Sequence, residues 1–393
     1  MPTAVLDYEI KGRRPLPVVA RRYTQALVVL RWAGRPVGQL VLPLQDGHAD
    51  QEFVERRLAE AAAWDFWAAW LHDSLGWDEA EPASAPPSAT VAVCTRERPE
   101  DLARCLGALA ALPDDGQEVL VVDNRPETRR TEQVVHGYPG VHYVCQPEGG
   151  LNAARNHALR SAGREVVAFT DDDAVVDAGW LRALLRNFSD PRVLCVTGLT
   201  MPSELETEAQ EIFERYSPFG RGFRRRTFSA SEMNPLAVGQ VGAGANMALR
   251  RSTLQQVGEF DEALDGGTPT RSGGDHEMFS RILAAGFQIT YDPAALSWHR
   301  HRRSMEELRE TLRGYGTGVY AMWTRALLSN RELGGFRLAL SWIRHGQLPE
   351  LVRSLRPSSR RVPLSLLLAE WRGCLGGPAA YLAARRARAR RRA

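Results

Sequence analysis

The sequence predicts an α/β protein built on a mixed, mostly parallel sheet flanked by helices. From Thr90 onward, short apolar runs alternate with segments of helical period, the pattern of a sheet covered on both faces. One of those runs, Val166-Val167-Ala168-Phe169, ends abruptly in Asp171-Asp172-Asp173. Carboxylates therefore arrive where a parallel sheet opens to its ligands, beyond the carboxyl ends of its strands. The chain's 393 residues, 44% apolar and 25% charged, leave room for one large domain with appendages and a substantial core.

Residues 1–82 read as a small α+β preface. Segments 26–32 and 37–43 are β-rich around the turn signal Ala33-Gly34-Arg35-Pro36, so a hairpin is expected. Residues 51–75 read as a single helix, with Val54, Leu58, Ala61, Trp64, Ala68, Leu71 and Leu75 at steps of three and four. Proline and small residues at 81–88 read as a linker. Within 88–325, strands are expected at 90–95, 118–123, around 143–145 and at 165–170. Helices are expected at 99–112, 152–162 and 179–188. On this reading Thr95, Asp123 and the three acids share one edge of the sheet.

The second half is less regular. Residues 204–235 alternate acidic and arginine-rich pieces and read as an excursion over the active-site face, with a solvated loop as the alternative. Residues 238–241 are strand-like and lead through Gly242-Ala243-Gly244-Ala245-Asn246 into 247–250. A helix is expected after Gly274, strands at 287–291 and 295–298, and a long helix from near Ser304. Residues 326–393 read as a helical, basic extension, ending in a tail with Arg385, Arg386, Arg388, Arg390, Arg391 and Arg392.

Composition narrows the function classes. A formal net charge of +3 is too small to argue for nucleic acid. The five cysteines form no CxxC pair and no metal-ligand spacing. No segment reads as a signal peptide, and none approaches the ~20 apolar residues of a membrane helix, so a cytoplasmic location is expected. Apolar pieces followed by a basic run can sit on anionic lipid. Peripheral contact at the inner membrane face, through the C-terminus, is therefore a second expectation.

The acids at 171–173 offer hard oxygen ligands, which suit Mg²⁺ or Mn²⁺. Capping of the next helix is the alternative. Around them lie VAVCTRERPEDL at 91–102, VLVVDN at 119–124, GGLNAARNHAL at 149–159, FTDDD at 169–173, GAGANMALRR at 242–251, GGDHEMFSRIL at 273–283 and WHRH at 298–301. In order and spacing this set resembles family 2 glycosyltransferases with the GT-A fold, over about 88–325.

The resemblance implies an inverting, divalent-metal-dependent glycosyltransferase. Its donor is a nucleotide-diphosphate sugar, a UDP-sugar favoured, and its acceptor is an unidentified hydroxyl on a saccharide, a lipid-linked sugar or a small molecule. Thr95 and Arg96 resemble nucleoside contacts, and Asp123, with Asn124 beside it, the acid that reads the base edge. Arg155 can face the nucleotide or remain a surface arginine. Asp171 and Asp173 match the outer positions of the DxD motif as metal ligands, with Asp171 and Asp172 on the donor. His299 completes the metal site, with His301 as the substitute; Arg300, Arg302 and Arg303 flank the diphosphate or face water.

Asp275 is the implied general base. Relatives commonly carry an acidic pair before this helix and a third acid two residues later. Here Gly274 stands first, with Asp275 and Glu277 in the remaining positions, so Asp275 lacks its usual acidic neighbour. Burial or neighbours must then raise its pKa for it to serve well as a base. An N-cap role is the alternative. The glycines of 242–246 let backbone approach a ligand, and Asn246 can reach a sugar hydroxyl or simply form a turn. Two rival functions remain: a non-catalytic nucleotide-sugar-binding relative, favoured by Gly274, and a sugar nucleotidyltransferase, disfavoured because residues 95–99 contain no glycine.

Overall fold

The structure is a computed structural model that describes residues 2–12, 15–61, 64–76, 85–356 and 361–392. The preface contains β1 (Thr3–Glu9), β2 (Gln25–Trp32), β3 (Arg35–Pro43), α1 (Gln51–Ala61) and α2 (Trp64–Ser74). The expected hairpin is β2–β3. It turns at Ala33 and Gly34, with φ of 49° and 78°, the two left-handed residues that match strand twist. Strand β1, which the sequence reading passed over, pairs parallel with β2. Helices α1 and α2 cover most of the single helix expected over 51–75; residues 62–63 between them lie outside the described residues, as do 81–84 of the linker.

This unit is docked on the rest of the chain. The Thr3 amide donates to the Leu205 carbonyl at 2.8 Å. Arg31 reaches Asp177 at 2.6 Å, while Leu27 and Val29 join the same buried cluster as Ala154 and Phe169.

The main body runs β4 (Ala89–Thr95), α3 (Pro99–Ala110), β5 (Glu118–Asn124), α4 (Arg130–His136), β6 (Val141–Gln146), α5 (Leu151–Ser161), β7 (Val166–Asp171), β8 (Ala174–Val176) and α6 (Trp180–Leu185). It continues with β9 (Val193–Pro202), α7 (Glu208–Tyr216), β10 (Arg226–Phe228), β11 (Asn246–Arg250), α8 (Thr253–Gln256), α9 (Gly274–Ala284) and β12 (Gln288–His299). The last helices are α10 (Met305–Asn330), α11 (Gly334–Trp342), α12 (Leu348–Ser354) and α13 (Leu364–Arg392).

Among the described residues the main sheet has the order β10-β12-β9-β11-β7-β4-β5-β6, with β8 attached to β12. Strands β4, β5, β6 and β7 are mutually parallel, and β9 and β12 run the same way. Strands β8, β10 and β11 run antiparallel to their neighbours. The sheet is therefore mixed and mostly parallel, as expected, and its central strands are buried on both faces. Helices cover both sides: α5 and α9 contribute to one apolar cluster, α3 and α6 to the other.

Several expectations on the second half are corrected. Residues 204–235 are not a bare loop: they contain α7, closed by a Thr207–Gln210 capping box, and β10, which adds an edge to β12. Val238–Gln240 forms a 3₁₀ turn rather than a strand. The helix expected at 179–188 shortens to α6, followed by a 3₁₀ turn at Arg186–Ser189.

The strands expected at 287–291 and 295–298 are one strand, β12, interrupted by a register shift. Asp292 faces Gly198 of β9, but the next paired residue, Leu296, faces Leu199. A bulge leaves backbone groups without ladder partners. The Asn246 amide fills that role, its Nδ2 donating to the Leu199 carbonyl at 3.0 Å and the Ala295 carbonyl at 2.9 Å. Its Oδ1 accepts from the Trp180 indole at 2.8 Å. Gly198 leaves room, since a Cβ there would lie 2.5 Å from the Asn246 nitrogen.

Asn246→Ala orphans two carbonyls and an indole N–H in a buried place. It should destabilise the protein by about 2–4 kcal/mol, read from the shift in a urea unfolding midpoint.

Candidate active site

The carboxyl ends of β4, β5, β7 and β12 deliver Thr95, Asp123, Asp171 and His299 to one edge of the sheet. Asp172 and Asp173 occupy the turn from β7 into β8. Because β8 runs back antiparallel to β12 with Ala174 opposite His299, the imidazole is set against the acids. His299 Nε2 lies 3.1 Å from Asp173 Oδ1 and 3.9 Å from Asp171 Oδ2. Among the described residues, one ligand atom from each of Asp171, Asp173 and His299 lies within 4.8 Å of the others. A cation held about 2.1 Å from each ligand spreads them over roughly 3–4 Å, so two carboxylates and an imidazole fit Mg²⁺ or Mn²⁺ in spacing and chemistry.

The cluster concentrates negative charge and compensates for it locally. Arg98 bridges Asp172 at 3.1 Å and Asp173 at 3.2 Å, and Arg302 stands 3.4 Å from Asp173. Burial and the Asp173 charge push the Asp172 carboxyl up to about 6, against Arg98 and the Thr95 hydroxyl. Burial also raises Asp173, but His299 and the arginines outweigh it and hold that group far below an ordinary carboxyl. For Asp171, burial and Asp173 prevail and the shift is upward. His299 is lowered by burial and raised more strongly by Asp173, for a net rise.

Asp275 enters the same cavity from the first turn of α9. Gly273, at φ 96°, is the N-cap, so Asp275 does not cap the helix. Its Oδ2 accepts from the Gly244 amide at 2.7 Å and its Oδ1 from the His276 amide at 2.8 Å. The glycine loop thus cradles the carboxylate: a Cβ on Gly244 would lie 2.8 Å from Asp275 Cβ. Burial raises the Asp275 carboxyl, but the charges of His276 and Arg155 and the two amides outweigh it, and the group lies below an ordinary aspartate. The expected upward tuning is absent. Glu277 is instead a brace, gripped by Arg281 at 2.6 Å and Arg325 at 2.8 Å.

A cavity of about 730 Å³ joins these groups, lined among others by Thr95, Arg98, Asp171, Asp275 and His299. Thr95 donates to Asp172 Oδ2 at 2.7 Å, and Arg96 pairs with Glu127 at 3.0 Å on the exposed rim. Asp123 is buried; Tyr143 donates to its Oδ2 at 2.9 Å, while its Oδ1 has no partner. Asn124 lines the cavity and accepts from the Gly150 amide at 3.1 Å. Arg155 is neither a surface residue nor unpaired: it is buried and bound to Asp265 at 2.7 Å. His301 lines the cavity but bonds Glu214 at 3.1 Å, Arg300 is held to Asp101, and Arg303 to Glu204 at 2.7 Å. Asn246 does not line the cavity, since its amide is consumed by the β12 bulge; as a sugar contact it is corrected.

Two site residues escaped the sequence reading. Arg98 follows the first strand by three residues, and its alignment with the acids depends on sheet order. Asp265 sits in the irregular stretch before α9, where no periodicity marks it. The arginine-rich excursion does reach the cavity, through Phe219 and Arg221.

Fold and site together define the class: an α/β domain with a mixed, mostly parallel sheet that gathers carboxylates and a histidine at the carboxyl edge of its strands. Residues 90–258 match the family model described as glycosyl transferase family 2. The pre-mycofactocin glycosyltransferase of Mycobacterium tuberculosis is 28% identical over 230 residues, 58% of this chain and 46% of the relative. The chain thus spans about half the length of that protein. Glycosyltransferase AglE of Haloferax volcanii is 27% identical over 287 residues, 71% of this chain and 87% of the relative. Among solved structures, the mannosyltransferase PcManGT from Pyrobaculum calidifontis, in complex with GDP-Man and Mn²⁺, is 18% identical with a TM-score of 0.48. That likeness covers 84% of this chain and 96% of the other.

If Asp171, Asp173 and His299 hold a cation, removing one of them should dismantle that site without unfolding the chain. Asp173→Asn and His299→Ala are each expected to weaken Mn²⁺ binding more than roughly 100-fold, measured by the free-Mn²⁺ signal in electron paramagnetic resonance.

Proposed function

We propose that the protein is an inverting, divalent-metal-dependent glycosyltransferase that moves a sugar from a nucleotide-diphosphate sugar, a UDP-sugar favoured, to an acceptor hydroxyl. The observation that carries this reading is the convergence of Asp171, Asp173 and His299 with Asp275 in one cavity of a chain that matches the family 2 model. Asp123, opposite Thr95 in the β4–β5 pair, would mark the nucleoside end, although it stands behind the cavity lining rather than in it. Asp171, Asp173 and His299 would hold the ion, whose positive charge offsets that of the departing nucleoside diphosphate.

The chain's own residues supply the rest. The Asp275 carboxylate accepts the acceptor's hydroxyl proton as the new oxygen–carbon bond forms at the anomeric carbon. The bond from that carbon to the diphosphate oxygen breaks in the same displacement, and its electron pair leaves with the diphosphate. Arg98 and Arg302, half-exposed beside the acids, supply further positive charge at the phosphate end. Because the Gly244 and His276 amides fix both oxygens of Asp275, the base is already oriented before substrates bind.

Asp275→Asn should keep nucleotide affinity within about threefold while transfer falls by a factor of roughly 10² or more. Calorimetric titration with UDP and with GDP, with Mn²⁺ and with EDTA, reads the first quantity, and sugar transfer from the matching donor reads the second. Folded protein that binds neither nucleotide would sink the proposal.

No helix among the described residues is long and apolar enough to cross a membrane. Peripheral contact has a more specific basis than the arginine tail, part of which turns inward: Arg388 pairs with Glu262 at 2.7 Å. Helix α11 exposes Phe336 (65%) and Leu340 (67%), and α12 exposes Leu348 and Val352, with Leu355 exposed just after its end. Across 331–356 five arginines (Arg331, Arg337, Arg344, Arg353, Arg356) stand against two glutamates (Glu332, Glu350). Apolar side chains rimmed by arginine complement an anionic lipid surface. Since Trp342 of α11 lines the cavity, that surface lies beside the acceptor's way in. The full chain should sediment with phosphatidylglycerol vesicles and not with phosphatidylcholine vesicles, and F336E/L340E should abolish it; self-association of unliganded protein through this face would refute it.

A further inference from the structure

We infer that Asp265 is a positioning residue that fills the space beside Asp275 left by Gly274 and holds Arg155 away from the Asp275 carboxylate. The inference rests on the glycosyl-transfer reading for the role of Asp275, and on geometry alone for the placement of Arg155.

Gly274 is glycine for a visible reason. A Cβ built on it would lie 2.6 Å from Asp265 Oδ2, and 2.2 Å and 2.5 Å from the amide atoms of Asn152. The room that a side chain at 274 would need is therefore occupied by a carboxylate carried on another segment. Asp265 is placed there deliberately. Its φ is 80°, in the left-handed region that non-glycine residues enter seldom, aspartate more readily than most. Its amide donates to Thr270 Oγ1 at 3.0 Å, and its Oδ1 accepts from the Gly266 amide at 2.9 Å. That leaves Oδ2 to take the Arg155 guanidinium at 2.7 Å.

Arg155 is the cation that needs holding. Its Nη1 also donates to Asn152 Oδ1 at 3.2 Å, and its guanidinium lies 5.6 Å from the centre of the Phe260 ring. Its Nη2 and Asp275 Oδ2 both crowd the point where a Cβ on Gly244 would sit, at 2.8 Å and 2.9 Å. Arginine prefers two-pronged pairing with a carboxylate, and a buried arginine without a partner is strongly disfavoured. Deprived of Asp265, Arg155 has Asp275 and Asp171 as its remaining neighbouring carboxylates, and its Nη2 already stands with Asp275 Oδ2 around Gly244, so Asp275 is the nearer choice. Such pairing would occupy the base's lone pairs. Asp265 prevents it by satisfying the arginine first.

The test uses the full chain carrying Asp265→Asn, alone and with Arg155→Gln. In a crystal structure of D265N, the Arg155 guanidinium is expected to move to within about 3 Å of Asp275. Turnover should fall at least about tenfold while the donor KM stays within about threefold, because the loss is in the proton acceptor. D265N/R155Q should turn over at least about tenfold faster than D265N, since no cation remains to close on the base. A merely structural pair could also recover in the double variant, but it would leave Arg155 unmoved in D265N and would lower stability in step with turnover.

An unmoved Arg155 with unchanged turnover in D265N, or a double variant no faster than D265N, overturns the inference. If D265N does not fold, the double variant decides alone, because it removes both buried charges together. Turnover above about one-tenth of wild type supports the inference, and turnover below that overturns it. The crystal geometry needs no turnover, so a wild-type chain that transfers no sugar would sink the function proposed above while the displacement of Arg155 could still be read.

Discussion

The register shift in β12 is the constraint on which the site depends. Up to Asp292 the strand pairs with β9 in one register, with Asp292 opposite Gly198. Had that register continued, Leu296 would stand opposite Pro202, where His299 now stands. An odd shift also reverses which face each side chain addresses. The extra residues thus replace a leucine by a histidine beside Asp173, and they do so in a buried strand where unpaired backbone is expensive. Asn246 makes the shift tolerable by donating to carbonyls on both strands, and Gly198 makes room for that amide. A polar side chain in the core is thereby tied to the position of the metal-type ligand set several residues away.

Charge compensation follows the same division between fixed and adjustable parts. Asp265, Asp171, Asp172, Asp173 and Asp275 crowd one cavity, and each is close to a cationic partner or a donated amide. The cations differ in freedom. Arg155 has a side chain only 5% exposed and is anchored by Asp265 and Asn152. Arg98 and Arg302 are 40% and 38% exposed at the side chain and reach the acids from the rim. A rim arginine can exchange a carboxylate for a phosphate with little desolvation, whereas the buried one cannot. The site therefore holds Asp275 and Arg155 fixed, while Arg98 and Arg302 at its rim remain adjustable.

Much of this was legible in the sequence, for physical reasons that also mark where legibility stops. Strand β7 could be read because a buried parallel strand must be apolar throughout, so an abrupt acidic end can lie only at its edge. The place of Asp275 in the first turn of a helix could be read because a carboxylate at a helix start has a recognisable local context. Asn246 misled, since a glycine-rich approach to asparagine looks alike whether it borders a ligand or plugs a bulge; the difference lies in β9 and β12, far away in sequence. Asp265 was invisible because its meaning depends on Arg155, 110 positions earlier, and on an absent side chain at 274. The excursion at 204–235 hid a capped helix and an edge strand because its arginines masked the short apolar periods.

The C-terminal helices, which the sequence reading set apart, bear on the same residues. Helix α13 lies along α10 at close range: a Cβ on Gly373 would lie 2.1 Å from the Arg313 carbonyl, and one on Gly377 2.8 Å from that of Thr317. From this pair Tyr381 donates to Asp261 at 2.8 Å, Arg388 grips Glu262 and Arg325 grips Glu277. Those three acids flank Asp265 and Asp275 in the chain. Strain at Asp265 persists only where surrounding structure over-determines it, and this clamp supplies much of that surrounding. The extension thus braces the segments that carry Asp265 and Asp275.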